Sequence, residues 1–245
     1  MLAANRDEYH ARPAAALAPW DDAPGIIGGR DLQARGAWLA VDRAGRVGVV
    51  TNFREFGRTR RSAPSRGGLI PAYLSGDRAP REYLGSLETD APGYAGFNLL
   101  VADTASLWYA SNRADVFARE LGPGVYGLSN EFLDTPWPKL VRVRTGFRAL
   151  LDSADAGETR GLAARLFALL ADREPAPPDA LPPGDLPPQW ARKLSAPFVL
   201  DAAYGTRCST VLTITDDGTL SITERRFDAD GIQTSEAERA LNVGT

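Results

Sequence analysis

An α+β fold, in which amphipathic helices cover antiparallel strands, is the class expected of this chain. Three pairs of β-prone runs around tight turns and two segments of helical apolar periodicity point to it, with one proline-dense connection. The first pair, 37–42 (AWLAVD) and 46–52 (RVGVVTN), flanks Arg43-Ala44-Gly45, which suits a three-residue hairpin with glycine in the left-handed position. The same grammar recurs at 97–102 with 106–111, and at 208–215 with 219–226 around Asp216-Asp217-Gly218. A seventh strand is predicted at 124–129 (GVYGLS). Helical spacing puts Leu140, Val143, Phe147, Leu150 and Leu151 on one face of 139–151, and Leu162, Leu166, Leu169 and Leu170 on one face of 158–171. Shorter helices are expected near 66–75 and 79–87. Seven prolines between 174 and 188 exclude helix interior and central strand, leaving an extended surface connection. A two-stranded hairpin is marginal alone in water, so 207–226 is expected to join the sheet begun upstream, in a single domain spanning 1–245.

Composition narrows the function classes. Twenty-eight basic and 31 acidic side chains leave a net charge of −3, which gives no broad attraction to nucleic acid or an anionic membrane. The 26 arginines against 2 lysines read as GC-rich codon usage rather than an arginine surface. Apolar runs fall far short of the ~20 residues needed to span a bilayer. One cysteine, Cys208, forbids an internal disulfide and favours a cytoplasmic setting. One histidine, His10, excludes a paired-histidine metal site, and no cofactor is expected. The start, Met1 to Ala4 followed at once by Asn5-Arg6-Asp7-Glu8, does not read as a secretory signal. With no G-x-S-x-G elbow, a serine hydrolase is a poor fit.

Few motifs carry chemistry. Gly122-Pro123-Gly124-Val125-Tyr126-Gly127 fits G-x-G-x-x-G formally, but no strand-to-helix turn is predicted there, and it reads as a glycine turn feeding a strand. Asn5-Arg6-Asp7-Glu8-Tyr9 is either a cap or loop, or a site in which Arg6 beside Asp7 orients a carboxylate or tunes a thiol or amine. Gly29-Arg30-Asp31, Thr51-Asn52-Phe53-Arg54-Glu55 and Gly127-Leu128-Ser129-Asn130 are each turns when taken singly. Polar strand ends of this kind can converge on one sheet edge, which makes Asn5, Arg30, Asp31 and Asn52 candidate ligand-binding residues. Of tryptophans 20, 38, 108, 137 and 190, core filling is the first reading and an apolar cavity the second, with Trp137 clamping a turn between two prolines.

The set of motifs resembles the NRDE, or transport and Golgi organisation 2, family over nearly the whole chain. It comprises Asn5-Arg6-Asp7-Glu8 with Arg12-Pro13, Gly28-Gly29-Arg30-Asp31-Leu32, Thr51-Asn52-Phe53-Arg54, Ser65-Arg66-Gly67, Gly96-Phe97-Asn98-Leu99-Leu100 and Ser111-Asn112-Arg113. Further along it includes Gly127-Leu128-Ser129-Asn130, Asp134-Thr135-Pro136-Trp137-Pro138-Lys139 and Tyr204-Gly205-Thr206-Arg207-Cys208-Ser209-Thr210-Val211. The resemblance implies a four-layer αββα sandwich of antiparallel sheets, like that of the N-terminal-nucleophile hydrolases. It also implies catalytic positions: Arg6 and Asp7 as a thiol-tuning pair, Asn98 and Asn130 as amide positions and Arg207 as a distant arginine. Family members usually begin Met-Cys followed by an apolar strand. This chain begins Met1-Leu2-Ala3-Ala4, so the nucleophile is absent and the first strand is expected to be missing. Cys208, in a predicted mid-sheet strand, reads as a small buried apolar residue before it reads as a reactive thiol.

Three functions follow as expectations. What is associated with the family implies binding or trafficking of a small apolar ligand, of the haem or acyl-CoA/lipid class. Ordinary haem ligation has only His10, Cys208 and tyrosines such as Tyr9 and Tyr204 to draw on. The second is a cysteine N-terminal-nucleophile amidohydrolase or acylase, which needs a nucleophile this chain does not show. The third is an interaction module offering 174–188 as a polyproline ligand. The first two require the clusters from Arg6 to Arg207 to meet around one hollow.

Overall fold

The structure is a computed structural model describing residues 1–55, 63–153, 159–184 and 186–243. Its first half runs β1 (Leu2–Tyr9), β2 (Ala14–Trp20), β3 (Ala23–Asp31), β4 (Leu39–Asp42), β5 (Val47–Asn52), α1 (Leu69–Leu74) and α2 (Pro80–Leu87). There follow β6 (Phe97–Ala102), β7 (Leu107–Ser111), β8 (Ala118–Glu120), α3 (Pro138–Asp152), α4 (Thr159–Leu170), α5 (Pro188–Lys193), β9 (Tyr204–Ile214), β10 (Thr219–Phe227) and β11 (Gln233–Asn242). The class is α+β, with two antiparallel sheets of four and seven strands. Two compact units contain them: Met1–Arg12, Val125–Gly127 and Asp134–Asn242 form one, and Pro13–Gly124, Leu128–Leu133 and Val243–Thr245 the other.

The first unit holds the sheet β1-β9-β10-β11. Ala3 and Val211 lie on the face covered by Leu162, Leu166, Phe167 and Leu170 of α4, with Val143, Phe147 and Leu150 of α3 packed alongside. The predicted apolar stripes face this packing, except for Leu151 at the end of α3, which is exposed. A Cβ on Gly146 would come within 2.7 Å of the Leu169 side chain, so the glycine permits the close approach of α3 to α4. The β9–β10 hairpin turns at Gly218, whose φ is +78°, the left-handed region expected of it. This hairpin joins β1 and β11 and does not extend the seven-stranded sheet, since those two ladders give it the support that two strands alone lack.

The second unit is a meander, β2-β3-β4-β5-β6-β7-β8, in which every neighbour in the sheet is a neighbour in sequence. Ile70, Tyr73 and Leu74 of α1 and Tyr83, Leu84 and Leu87 of α2 bury against Phe97, Leu99, Val101 and Ala110. Gly45, at φ +80°, turns β4 into β5, and Asp42 Oδ1 accepts the N–H groups of Ala44 and Arg46 across that turn. The Arg46 guanidinium then donates to the carbonyls of Tyr73, Leu74 and Gly76, capping the C-terminus of α1 where carbonyls have no helical partner.

The strand predicted at 124–129 does not form. Gly127 N–H donates to Asp134 Oδ1, and Asp134 N–H donates to the Gly127 carbonyl, so a side-chain clasp replaces a ladder. Asp134 adopts φ +63°, and Leu140 fills the space a Gly127 Cβ would take. The strand that does form in this region is β8, further upstream. Asn5 to Tyr9, open to reading as a cap or loop, are strand, because β9 supplies the partner for β1. Between 174 and 188 the described residues carry one 3-10 turn, Pro178–Ala180, before the first turn of α5.

Candidate functional site

The NRDE motif lies on β1, and β9 runs antiparallel beside it. Arg6 pairs with Cys208 and Asp7 with Thr206, so the register shifts and Arg207 is an extra residue opposite Arg6. A bulge of this kind re-aims side chains and is frequent beside functional sites. Cys208 also pairs with Arg226 of β10, and Glu224 stands two residues before Arg226 on the same face. One cross-strand row is thus Arg6, Cys208 and Arg226, with Arg207 added by the bulge and Glu224 in the next row.

The charges in this row perturb one another. Burial, then the positive charges of Arg6 and Arg226, lower the pKa of Arg207. Burial, then the negative charge of Glu224, push the Cys208 thiol well above its usual value. Cys208 is 2% exposed and Glu224 also 2%. A thiol held protonated in this way is not an activated nucleophile, which requires the opposite shift or a neighbouring base.

The other sequence-predicted residues of this unit hold the fold together. Asn5 donates both Nδ2 hydrogens, to the carbonyls of Leu170 (2.8 Å) and Pro197 (2.9 Å), and its Oδ1 accepts from Ser209 Oγ (2.6 Å). Asp7 accepts from Thr206 Oγ1 at 2.7 Å and from Lys139 Nζ at 3.3 Å. Arg207 Nη1 donates to three carbonyls, those of Tyr9, His10 and Arg12, pinning the turn that leaves β1. His10 Nε2 lies 3.0 Å from the Asp201 carbonyl oxygen, which only accepts, so the proton sits on Nε2. Trp137 is buried and donates through Nε1 to the Leu194 carbonyl, a partner outside the turn between its two prolines.

At this end of β1 and β9, Tyr9 and Tyr204 meet edge to face with ring centroids 5.2 Å apart, and Trp190 of α5 meets Tyr204 at 6.1 Å. Lys193 Nζ sits 5.3 Å from the Trp190 ring centroid. Tyr9 remains 59% exposed, while burial and then the charges of Asp7 and Glu8 keep the Tyr204 hydroxyl protonated.

In the seven-stranded unit Asn98, Asn130 and Asn52 come together and Arg30 and Asp31 form a separate pair of local structures. Asn98, with no exposed surface, donates to Thr51 Oγ1 (3.2 Å) and to the Glu131 carbonyl (2.9 Å), and accepts from Tyr109 Oη (2.8 Å). Asn130 Nδ2 donates to the carbonyl of Asn52, and Arg54 N–H to the carbonyl of Asn130. Arg30 is held by both carboxylate oxygens of Asp22, at 2.6 and 2.8 Å, with its guanidinium 4.3 Å from the Trp20 ring centroid. Asp31 Oδ1 accepts from the N–H groups of Gln33 and Ala34, closing a turn.

Sequence reading missed Glu224 and Arg226, although Leu220, Ile222, Glu224 and Arg226 alternate along one face of β10. Two charges continuing an apolar period-2 row were the signal for them. The aromatic edge was also missed, because Trp190 is brought to Tyr204 by α5 from outside the strand pair. Among the described residues no group of three or more metal-ligating side chains occurs.

An α+β protein with two antiparallel sheets and a cross-strand arginine row that starts from an NRDE strand is thus the class defined here. Comparison with known proteins places it further: a family model, Transport and Golgi organisation 2, matches residues 1–229, and the chain belongs to that family. A bovine Transport and Golgi organization protein 2 homolog is 34% identical over 240 residues, covering 92% of this chain and 85% of the relative. The human homolog is 31% identical over 236 residues, with the same coverage of each. The Drosophila melanogaster Transport and Golgi organization protein 2 is 26% identical, over 91% of this chain and 84% of its own.

Proposed function

We propose that this chain binds and carries a small amphipathic ligand of the haem or acyl-CoA/lipid class and does not turn it over. The observation that carries the reading is the aromatic edge of Tyr9, Tyr204 and Trp190, flanked by Lys193 and left partly open beside the NRDE strand. Rings held edge to face offer apolar area at low entropic cost, and Lys193 beside them is ion-paired with Asp201. The hydrolase alternative asks for an activated thiol, and the one cysteine of this sequence is buried with its neutral form favoured. In a haem complex His10 would have to ligate through Nδ1, because Nε2 is engaged with Asp201, so hydrophobic contact is the better account of any haem binding. The cytoplasmic setting suggested by the single cysteine belongs to the same proposal. Among the described residues, no helix is long and apolar enough to cross a membrane.

Titration of the protein with haem and, separately, with palmitoyl-CoA by calorimetry tests the proposal. Saturable binding of one of them is expected, weakened about tenfold in Tyr9→Ala, the scale of one aromatic contact. Absence of saturable heat with both ligands overturns it.

A further inference from the structure

We infer that the open edge of β11 receives an extended basic peptide from another protein, added as a further strand of the four-stranded sheet. This surface uses neither the aromatic edge nor the NRDE strand, so it stands or falls separately from the carrier reading. Strand order is the first argument. Among the described residues β11 ends the sheet β1-β9-β10-β11 and is paired on one side, with β10, so alternate N–H and C=O groups face outward on the other. Its 10 residues give an edge of about 34 Å, at about 3.4 Å per residue. The register with β10 runs unshifted from Ser235 to Asn242, and no proline interrupts the strand. Short length, proline and bulges, which blunt edges elsewhere, are thus missing from this stretch. Apart from half-buried Ala237 and Leu241, every residue of β11 is exposed.

Charge selects the occupant. The β10 register sets Glu236 opposite Arg225 and Glu238 opposite Thr223, on the face where the Arg225 guanidinium lies 4.1 Å from the Phe167 ring centroid. Arg225 Nε holds the Glu236 carboxylate at 2.7 Å, whereas that of Glu238 meets Ser221 Oγ at 3.5 Å. Arg239 lies on the other face, opposite Ile222, and donates to the backbone carbonyl of Glu238. The α4-side face of β11 therefore carries two carboxylates against one guanidinium. Basic side chains two residues apart on an added strand match them, about 7 Å apart. A second copy does not fit as well. A two-fold axis between antiparallel edge strands is perpendicular to the sheet, so each side chain meets one from its own face. Centred on Ala237, such pairing sets Glu236 against Glu238 of the second copy, and centred on Glu236, Glu238 or Arg239 it sets that residue against itself. Like charges directly opposite are destabilising. In strand addition the main-chain ladder supplies affinity and the alternate side chains supply specificity.

The test is fluorescence anisotropy of a labelled short peptide of alternating lysine and threonine, titrated with the full chain at low ionic strength. Saturable binding is expected, together with slower hydrogen exchange of the β11 amides. A glutamate-threonine peptide, and the lysine-threonine peptide N-methylated on every residue, should show no saturable binding. Glu238→Gln is expected to weaken binding about fivefold, the upper range of a cross-strand charge pair. Asp77→Asn, exposed in the other unit, leaves it unchanged. The peptide comparisons need no variant, so the proposal stays testable if Glu238→Gln fails to fold. No saturable binding of the lysine-threonine peptide overturns it, as does parental affinity in a folded Glu238→Gln. Equal binding of the N-methylated peptide shows charge attraction without a strand, and equal binding of the acidic peptide removes the charge argument; either overturns it. Protection of β11 that rises with protein concentration alone seats a second copy there and also overturns it.

Discussion

Replacing Asn98 by leucine separates a residue that builds the seven-stranded unit from one held ready for chemistry. The Asn98 amide makes three hydrogen bonds with no exposed surface, to Thr51 Oγ1, to the Glu131 carbonyl and from Tyr109 Oη. Tyr109 Oη in turn accepts from Leu133 N–H, and Thr51 Oγ1 donates to the Ser129 carbonyl, so the segment 128–133 is tied to β5, β6 and β7 through this amide. Three bonds at roughly 1 kcal/mol net each give about 3 kcal/mol. The orphaned Glu131 carbonyl and Tyr109 hydroxyl raise the cost to about 3–5 kcal/mol. For a chain of this size that is a fall of about 6–20 °C in Tm. Urea and thermal unfolding followed by tryptophan fluorescence measure it, with Tyr109→Phe, which removes both bonds of that hydroxyl, expected at about 2 kcal/mol. An Asn98→Leu protein within about 1 kcal/mol of the parent would rule out the network as the reason for the asparagine.

Gly36→Ala places a Cβ 2.4 Å from the backbone carbon and oxygen of Gly67, so the Ala37 N–H to Gly67 carbonyl bond must shift. A loss of about 1–3 kcal/mol is expected by denaturant melt, whereas Gly85→Ala, in open space within α2, should gain up to about 1 kcal/mol. Cys208 should resist an aromatic disulfide reagent in the native protein and react with one equivalent in urea. Rapid native labelling would show that the thiol is neither buried nor held neutral.

Much of the local architecture is legible in the amino-acid sequence. Gly45 and Gly218 mark their hairpins because only glycine takes a left-handed turn without strain, and both sit at positive φ. The α3 and α4 stripes are legible because burial of one helical face imposes a 3.6-residue period. Less is legible where partners are distant. β2 reads AAALAPW, poor in strand formers, and becomes a strand because β3 pairs with it. β11 is exposed on nearly every residue, and only the β10 ladder holds it extended. The segment 124–129 fails in the opposite direction, the strand expected there being replaced by the Asp134 clasp.

The candidate site divides in the same way. Asn5, Arg6, Asp7 and Arg207 stand out as members of distinctive motifs because residue type and spacing are local properties of a chain. Which of those groups support the fold, and which face one another, is settled by long-range strand pairing. Pairing β1 with a strand some two hundred residues away set the bulge that brings Arg207 beside Arg6, and adding β10 contributed Arg226 and Glu224. Hydrogen-bond satisfaction and charge crowding depend on distance in space, and spacing along the chain does not encode the register in which remote strands meet.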